Sequence, residues 1–178
     1  MEFLRSFWFK NLILCHKLLV MKKILVGIAL SILLVSCSDQ VRFNNPAMEG
    51  QKDNLFWRAA SSRATLQSNN SLKIEGFTEF ETLTLVTTSV NVKTYPLGVN
   101  DEVKASFETT KPGEEKFFST GTNSGDGQIE ITEFDPTNNT ISGNFRFNAE
   151  KRLENLPDGE MLNFKQGVFY KIPIYKGL

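Results

Sequence analysis

Between residues 140 and 149 apolar and polar positions alternate strictly. Ile141, Gly143, Phe145, Phe147 and Ala149 share one parity, and Thr140, Ser142, Asn144, Arg146 and Asn148 share the other. Successive side chains of a strand point to opposite faces, so this pattern predicts a strand with one buried face. Residues 128–134 alternate as well, through Ile129 and Ile131. Between the two runs lies Asp135-Pro136-Thr137-Asn138-Asn139, with Asp at the first turn position and Pro, which fixes φ, at the second. Together they predict a hairpin.

The same alternation recurs upstream. Leu72 and Ile74 alternate with Ser71, Lys73 and Glu75, and Asn69-Asn70 before them suits a turn needing positive φ. That turn pairs the strand with one through Ala64 and Leu66. Leu83 and Leu85 alternate with Thr82 and Thr84, and Val103, Ala105 and Phe107 with Lys104, Ser106 and Glu108. Phe117-Phe118 marks a short strand, and a last strand runs from about residue 162 to 174. In that strand Gly167 predicts a bulge and Pro173 a position at a sheet edge. No stretch after residue 40 carries a helical period. The expected fold is all-β, a single antiparallel β-sandwich or small barrel-like domain of about eight to nine strands after an N-terminal signal helix. Of 15 phenylalanines, 12 follow residue 36, and most are expected to point inward with Trp57.

The N-terminal part differs in kind. Met21-Lys22-Lys23 is a basic start, residues 24–35 form an apolar run, and Leu34-Val35-Ser36-Cys37 closes it. Positive start, a run too short to span a bilayer and a small residue at the cut are the parts of a secretory signal peptide. The Cys after the small residue resembles the bacterial lipoprotein lipobox. That resemblance implies cleavage between Ser36 and Cys37 and a lipidated Cys37 as first mature residue. Residues 1–20 are apolar too, and the competing interpretation is one long anchor over residues 3–35. Lys10, Lys17, Lys22 and Lys23 interrupt it, and each would cost about 2.5–3.5 kcal/mol at the centre of a membrane helix. The expected organisation is therefore an over-long extension over 1–20, a signal peptide over 21–36, lipidated Cys37 and tether over 37–52, and the β domain over 53–178.

Cleavage changes the chemistry that remains. The full chain is formally neutral, with 20 basic and 20 acidic residues, whereas residues 37–178 keep 15 and 19, a net charge of −4. No basic footprint for nucleic acid is present. His16 and Cys15 leave with the leader, so the mature chain holds no histidine and only the cysteine at 37. The usual Ser–His, Cys–His and zinc ligand sets are then missing. Among the carboxylates, Glu130, Glu133 and Asp135 lie close in sequence, but Glu130 alternates outward from Ile129 and Ile131, as a solvated face would. The loop Asn123-Ser124-Gly125-Asp126-Gly127 offers oxygens for calcium without the regular spacing of a calcium loop. Trp57, Tyr95, Phe118, Tyr170 and Tyr175 are candidates for exposed rings that stack on sugar or line a barrel mouth.

Several segments carry a likeness: Leu55-Phe56-Trp57-Arg58-Ala59, Lys93-Thr94-Tyr95-Pro96-Leu97-Gly98, Gly127-Gln128-Ile129-Glu130-Ile131-Thr132, Asn139 to Phe145, and Gly167-Val168-Phe169. With the lipobox ahead of them, the chain resembles the small uncharacterised β-rich lipoproteins of Bacteroidota. The likeness implies a fold and an address, with no catalytic residues to carry over. The expectation is a membrane-anchored lipoprotein of the outer membrane, on its periplasmic face or at the cell surface, with a non-catalytic binding or structural domain. Its first partner is membrane lipid, through acylated Cys37; a protein, glycan or lipid ligand is left open, and no catalytic, cofactor or metal residue is assigned. One alternative is a carrier of a small apolar ligand in a barrel. The other is an adhesin-like or accessory subunit that binds protein or glycan through a sheet edge or loop face.

Overall fold

The computed structural model describes residues 47–153 and 156–177. The extension, the signal segment, Ser36 and Cys37 lie outside the described residues. Within them the chain forms β1 (Ala47–Lys52), β2 (Leu55–Arg58), β3 (Ser61–Leu66), β4 (Leu72–Phe77), β5 (Glu81–Thr87), β6 (Thr94–Leu97), β7 (Lys104–Thr109), β8 (Lys116–Ser119), β9 (Asp126–Asp135), β10 (Thr140–Leu153) and β11 (Leu156–Lys176). The all-β expectation holds, with eleven strand segments where about eight or nine were expected. The difference arises because long runs break and change partner. Ala59 N–H still donates to Met48 O of β1, whereas Ala60 N–H donates to Phe77 O at the end of β4. Likewise β8 and β9 follow one another along β10, Glu150 facing Ser119 and Asn148 facing Asp126.

All segments belong to one sheet, which closes on itself. The ring runs β11–β3–β4–β5–β7–β8–β10 and returns to β11, while β1–β2 and β9–β6 continue the sheet along β11 and β10. Every pairing between these segments is antiparallel except β11 with β3, where Ile174, Tyr175 and Lys176 face Ala64, Thr65 and Leu66. The interior of so narrow a ring is filled by side chains. Phe164 lies at the centre of its aromatic part, with ring centroids of Trp57, Phe107, Phe145 and Phe147 at 5.6, 5.7, 5.9 and 5.1 Å. Leu72, Ile74, Leu83, Leu85, Ile141 and Ile172 are fully buried in the same core.

Two predicted turns appear as expected. Asp135 caps the β9–β10 connection, its carboxylate accepting from Thr137 N–H at 2.8 Å and Asn138 N–H at 3.0 Å, and Asn139 takes φ 52°. Asn70 takes φ 65°, and Ala64 and Leu66 pair with Ile74 and Leu72.

Four expectations need correction. Residues 47–52, read as tether, form β1; its inward positions are Met48 and Gly50, and one large apolar residue in six gives too faint an alternation to see. The bulge near Gly167 sits on its neighbour. Gln166 is the extra residue, at φ 50°, and Gly167 is the bare position beside it. Pro173 is not at a sheet edge. It lies between Tyr170, the last residue of β11 to pair with β1, and Ile174, where pairing with β3 begins. A residue with no N–H is tolerated in that gap. Finally, among the described residues only Phe107, Phe118, Phe145, Phe147, Phe164 and Phe169 of the phenylalanines are buried, while Phe56, Phe80 and Phe117 are exposed.

Candidate functional site

The five candidate rings part company. Trp57, Tyr95 and Phe118 are buried, Tyr170 is half-buried and Tyr175 is exposed. Tyr95 is fixed by its hydroxyl, which lies 2.8 Å from Ser89 Oγ and donates to backbone carbonyls of the same loop. Trp57 donates its indole N–H to Glu81 Oε2 at 2.8 Å, and Glu81 is also paired with Lys52, whose Nζ lies 4.7 Å above the Phe107 ring. These rings are structural.

The charged residues are mostly occupied with one another. Glu75 is buried on the outer face of β4 between Arg63 Nε at 2.8 Å and Lys73 Nζ at 2.6 Å. Burial pushes its carboxyl up, but hydrogen bonds and charge from Arg63 and Lys73 outweigh that and hold it below the usual carboxylate value. Asp101 is held low by hydrogen bonds from Thr122 and Lys104. Asp135 is held low by its hydrogen bonds from Asn138 and Thr137, so it serves the turn. Glu133 is exposed, and the three carboxylates noted in sequence are not drawn into one site.

The loop at residues 123–127 is similarly engaged. Ser124 Oγ lies between Glu150 Oε2 and Arg152 Nη2, each at 2.8 Å. Asp126 Oδ1 accepts from Asn148 Nδ2 at 2.9 Å. Among the described residues no group of three or more His, Cys, Asp or Glu is placed to hold a metal ion.

A hollow of about 420 Å³ lies on the outward face of β9, β10 and β11. Its wall is a small grid. Glu130 pairs with Asn144 and Asn144 with Val168; Gln128 pairs with Arg146, beside the Gln166 bulge. The bulge is the cause of the relief. Gln166 is an extra residue against β10 and also against β1, where Glu49 faces Val168 and Gln51 faces Lys165. With both ladders interrupted at one level, the strand bends there and its neighbours' side chains stand around a dip. Arg146 Nη2 donates to Gln128 Oε1 at 3.1 Å. Of the polar residues in this group, the sequence marks only Glu130 as a candidate for chemistry. The Gln166-Gly167 pair inside a long apolar alternation was the available signal, and it fixes a bulge without showing that both neighbouring ladders break there.

The fold and surface thus define an all-β domain built as a closed ring around an aromatic core, with a hollow of mixed polar and apolar lining on its outer side. The family model described as domain of unknown function (DUF6252) matches residues 44–173, and the chain belongs to that family. No curated protein and no solved structure matches it.

Proposed function

We propose that the protein is a membrane-anchored bacterial lipoprotein whose β domain is a non-catalytic binding module presented at the outer membrane. The observation that carries this is the run from Met21 to Cys37, basic start, apolar stretch and Leu34-Val35-Ser36-Cys37, followed within ten residues by the first strand at Ala47. Acylated Cys37 supplies the anchor: each buried CH₂ contributes about 0.8 kcal/mol, and two or more chains hold firmly where one does not. The layout is that of small lipoproteins of Bacteroidota. Absence of histidine after residue 16 and of cysteine after residue 37 supports a non-catalytic role. The rings packed around Phe164 favour ligand binding on the outside of the domain over carriage within it.

The accessory-subunit alternative has one observation in its favour. The edge strand β2 pairs only with β1 and carries Leu55 and Phe56, 72% and 73% exposed.

Fractionation of cells that express Cys37→Ala tests the anchor. The variant loses acylation, and whatever is exported leaves the membrane fraction. A variant that stays membrane-bound at normal levels overturns the lipoprotein reading.

A further inference from the structure

We propose that the hollow on the outer face of β9, β10 and β11 is a saccharide-binding site, which names a ligand class for the binding module inferred above and rests on that reading. The polar groups around it are of complementary kinds. Glu130 offers a carboxylate, which only accepts hydrogen bonds; Arg146 offers a guanidinium, which only donates; Gln128, Asn144 and Gln166 offer amides that do both. A sugar hydroxyl is at once donor and acceptor, so a ring of hydroxyls needs such a mixture. The single positive and single negative charge cancel, which suits a neutral ligand better than a phosphate or a carboxylate. Arg146 spends one hydrogen bond on Gln128, and that contact orients the guanidinium along the wall. Val168, 39% exposed, supplies an apolar patch for the C–H face of a pyranose.

The backbone makes the site rigid. Gln166 is held at φ 50° between two ladders, a conformation that a side-chain-bearing residue adopts at a cost and keeps only when its surroundings fix it. Gly167 and Phe145 form the floor, and Phe145 is locked into the core. The hollow holds about 420 Å³, within the range of small-ligand sites.

The test is saturation-transfer NMR on the full chain in detergent, with neutral gluco-, manno-, galacto- and xylo-hexasaccharides as probes at millimolar concentration. Keeping the protein in detergent makes the result independent of whether Cys37 anchors it, so failure here and failure of the anchor reading are separate results. At least one hexasaccharide receives transfer, and Arg146→Ala and Glu130→Gln each weaken its binding by about tenfold or more, the loss of a hydrogen bond to a charged group. Arg58→Ala, on β2 and outside the hollow, leaves binding unchanged. Both wall residues are outward-facing, and thermal melting of each variant verifies that the fold is kept. No transfer to any of the four sugars, or binding that survives both wall substitutions, overturns the proposal.

Discussion

The ring of Phe145 occupies the space that a β-carbon on Gly167 would take, across the β10–β11 ladder where the two residues face each other. Two pairs further along, on the same face, the arrangement is reversed: Gly143 faces Phe169, whose ring fills the room above the bare glycine. Gly167→Ala should therefore destabilise the domain through crowding, by about 1–3 kcal/mol. Phe145→Ala should cost about 3–5 kcal/mol, since it opens a void beside Phe147 and Phe164. Combined, the two should cost less than their sum, because the alanine at 167 then has the ring's space. Urea unfolding of the three variants reads this directly, and strictly additive losses would show that the residues do not compete.

Glu81 ties the first hairpin to the ring by serving both Trp57 and Lys52. Replacing it with alanine leaves a buried indole N–H without its acceptor and should cost about 1–3 kcal/mol. Glu81→Gln keeps an acceptor and should cost less. Thermal melting ranks the two, and fluorescence adds a local readout, Trp8 being the one other tryptophan. Equal losses would mean that the Lys52 charge, rather than the indole hydrogen bond, carries the effect.

Glu75 gives a defined pH dependence. Its folded carboxyl titrates below the unfolded one, whose ordinary value is about 4.3. Its stabilising contribution is therefore complete above that unfolded value and is lost as pH falls through the lower folded one. Glu75→Gln removes this component, so the gap between wild type and variant should be widest near neutrality and shrink on acidification. Chemical denaturation at a series of pH values measures it. A gap that widens toward acid would reverse the assignment.

Deleting residues 1–20 should leave export intact, because Met21-Lys22-Lys23 already supplies the basic start. Immunoblotting of cell fractions decides this, and retention of the truncated chain in the cytoplasm would refute Met21 as the functional start.

Where alternation was clean the fold was legible. The β9–β10 hairpin, the turn at Asn70 and the inward set of β10 follow from parity and turn chemistry, which are local. The missed strands are those that parity cannot reveal. β1 carries one large inward side chain, β6 is only four residues long with Pro96 inside it, and β2 presents Leu55 and Phe56 to solvent, against the rule that alternation exploits. The hollow was hidden for a different reason. Gln128, Arg146 and Gln166 are far apart in sequence, and only the doubly interrupted register of β11 brings them round one dip.

The closure of the ring has a kinetic consequence. Strand β11 pairs with β1, β3 and β10, and Asp53 accepts a hydrogen bond from Asn163, 110 positions away. Such distant pairings must repay a large loop-closure entropy before they contribute, which places the domain among slow-folding topologies. As the chain emerges from the ribosome, β1, β3 and β10 each wait with an open edge until β11 arrives. Closure of the domain therefore waits for β11, and a chain truncated ahead of residue 156 would present three unpaired edges, the starting point for aggregation.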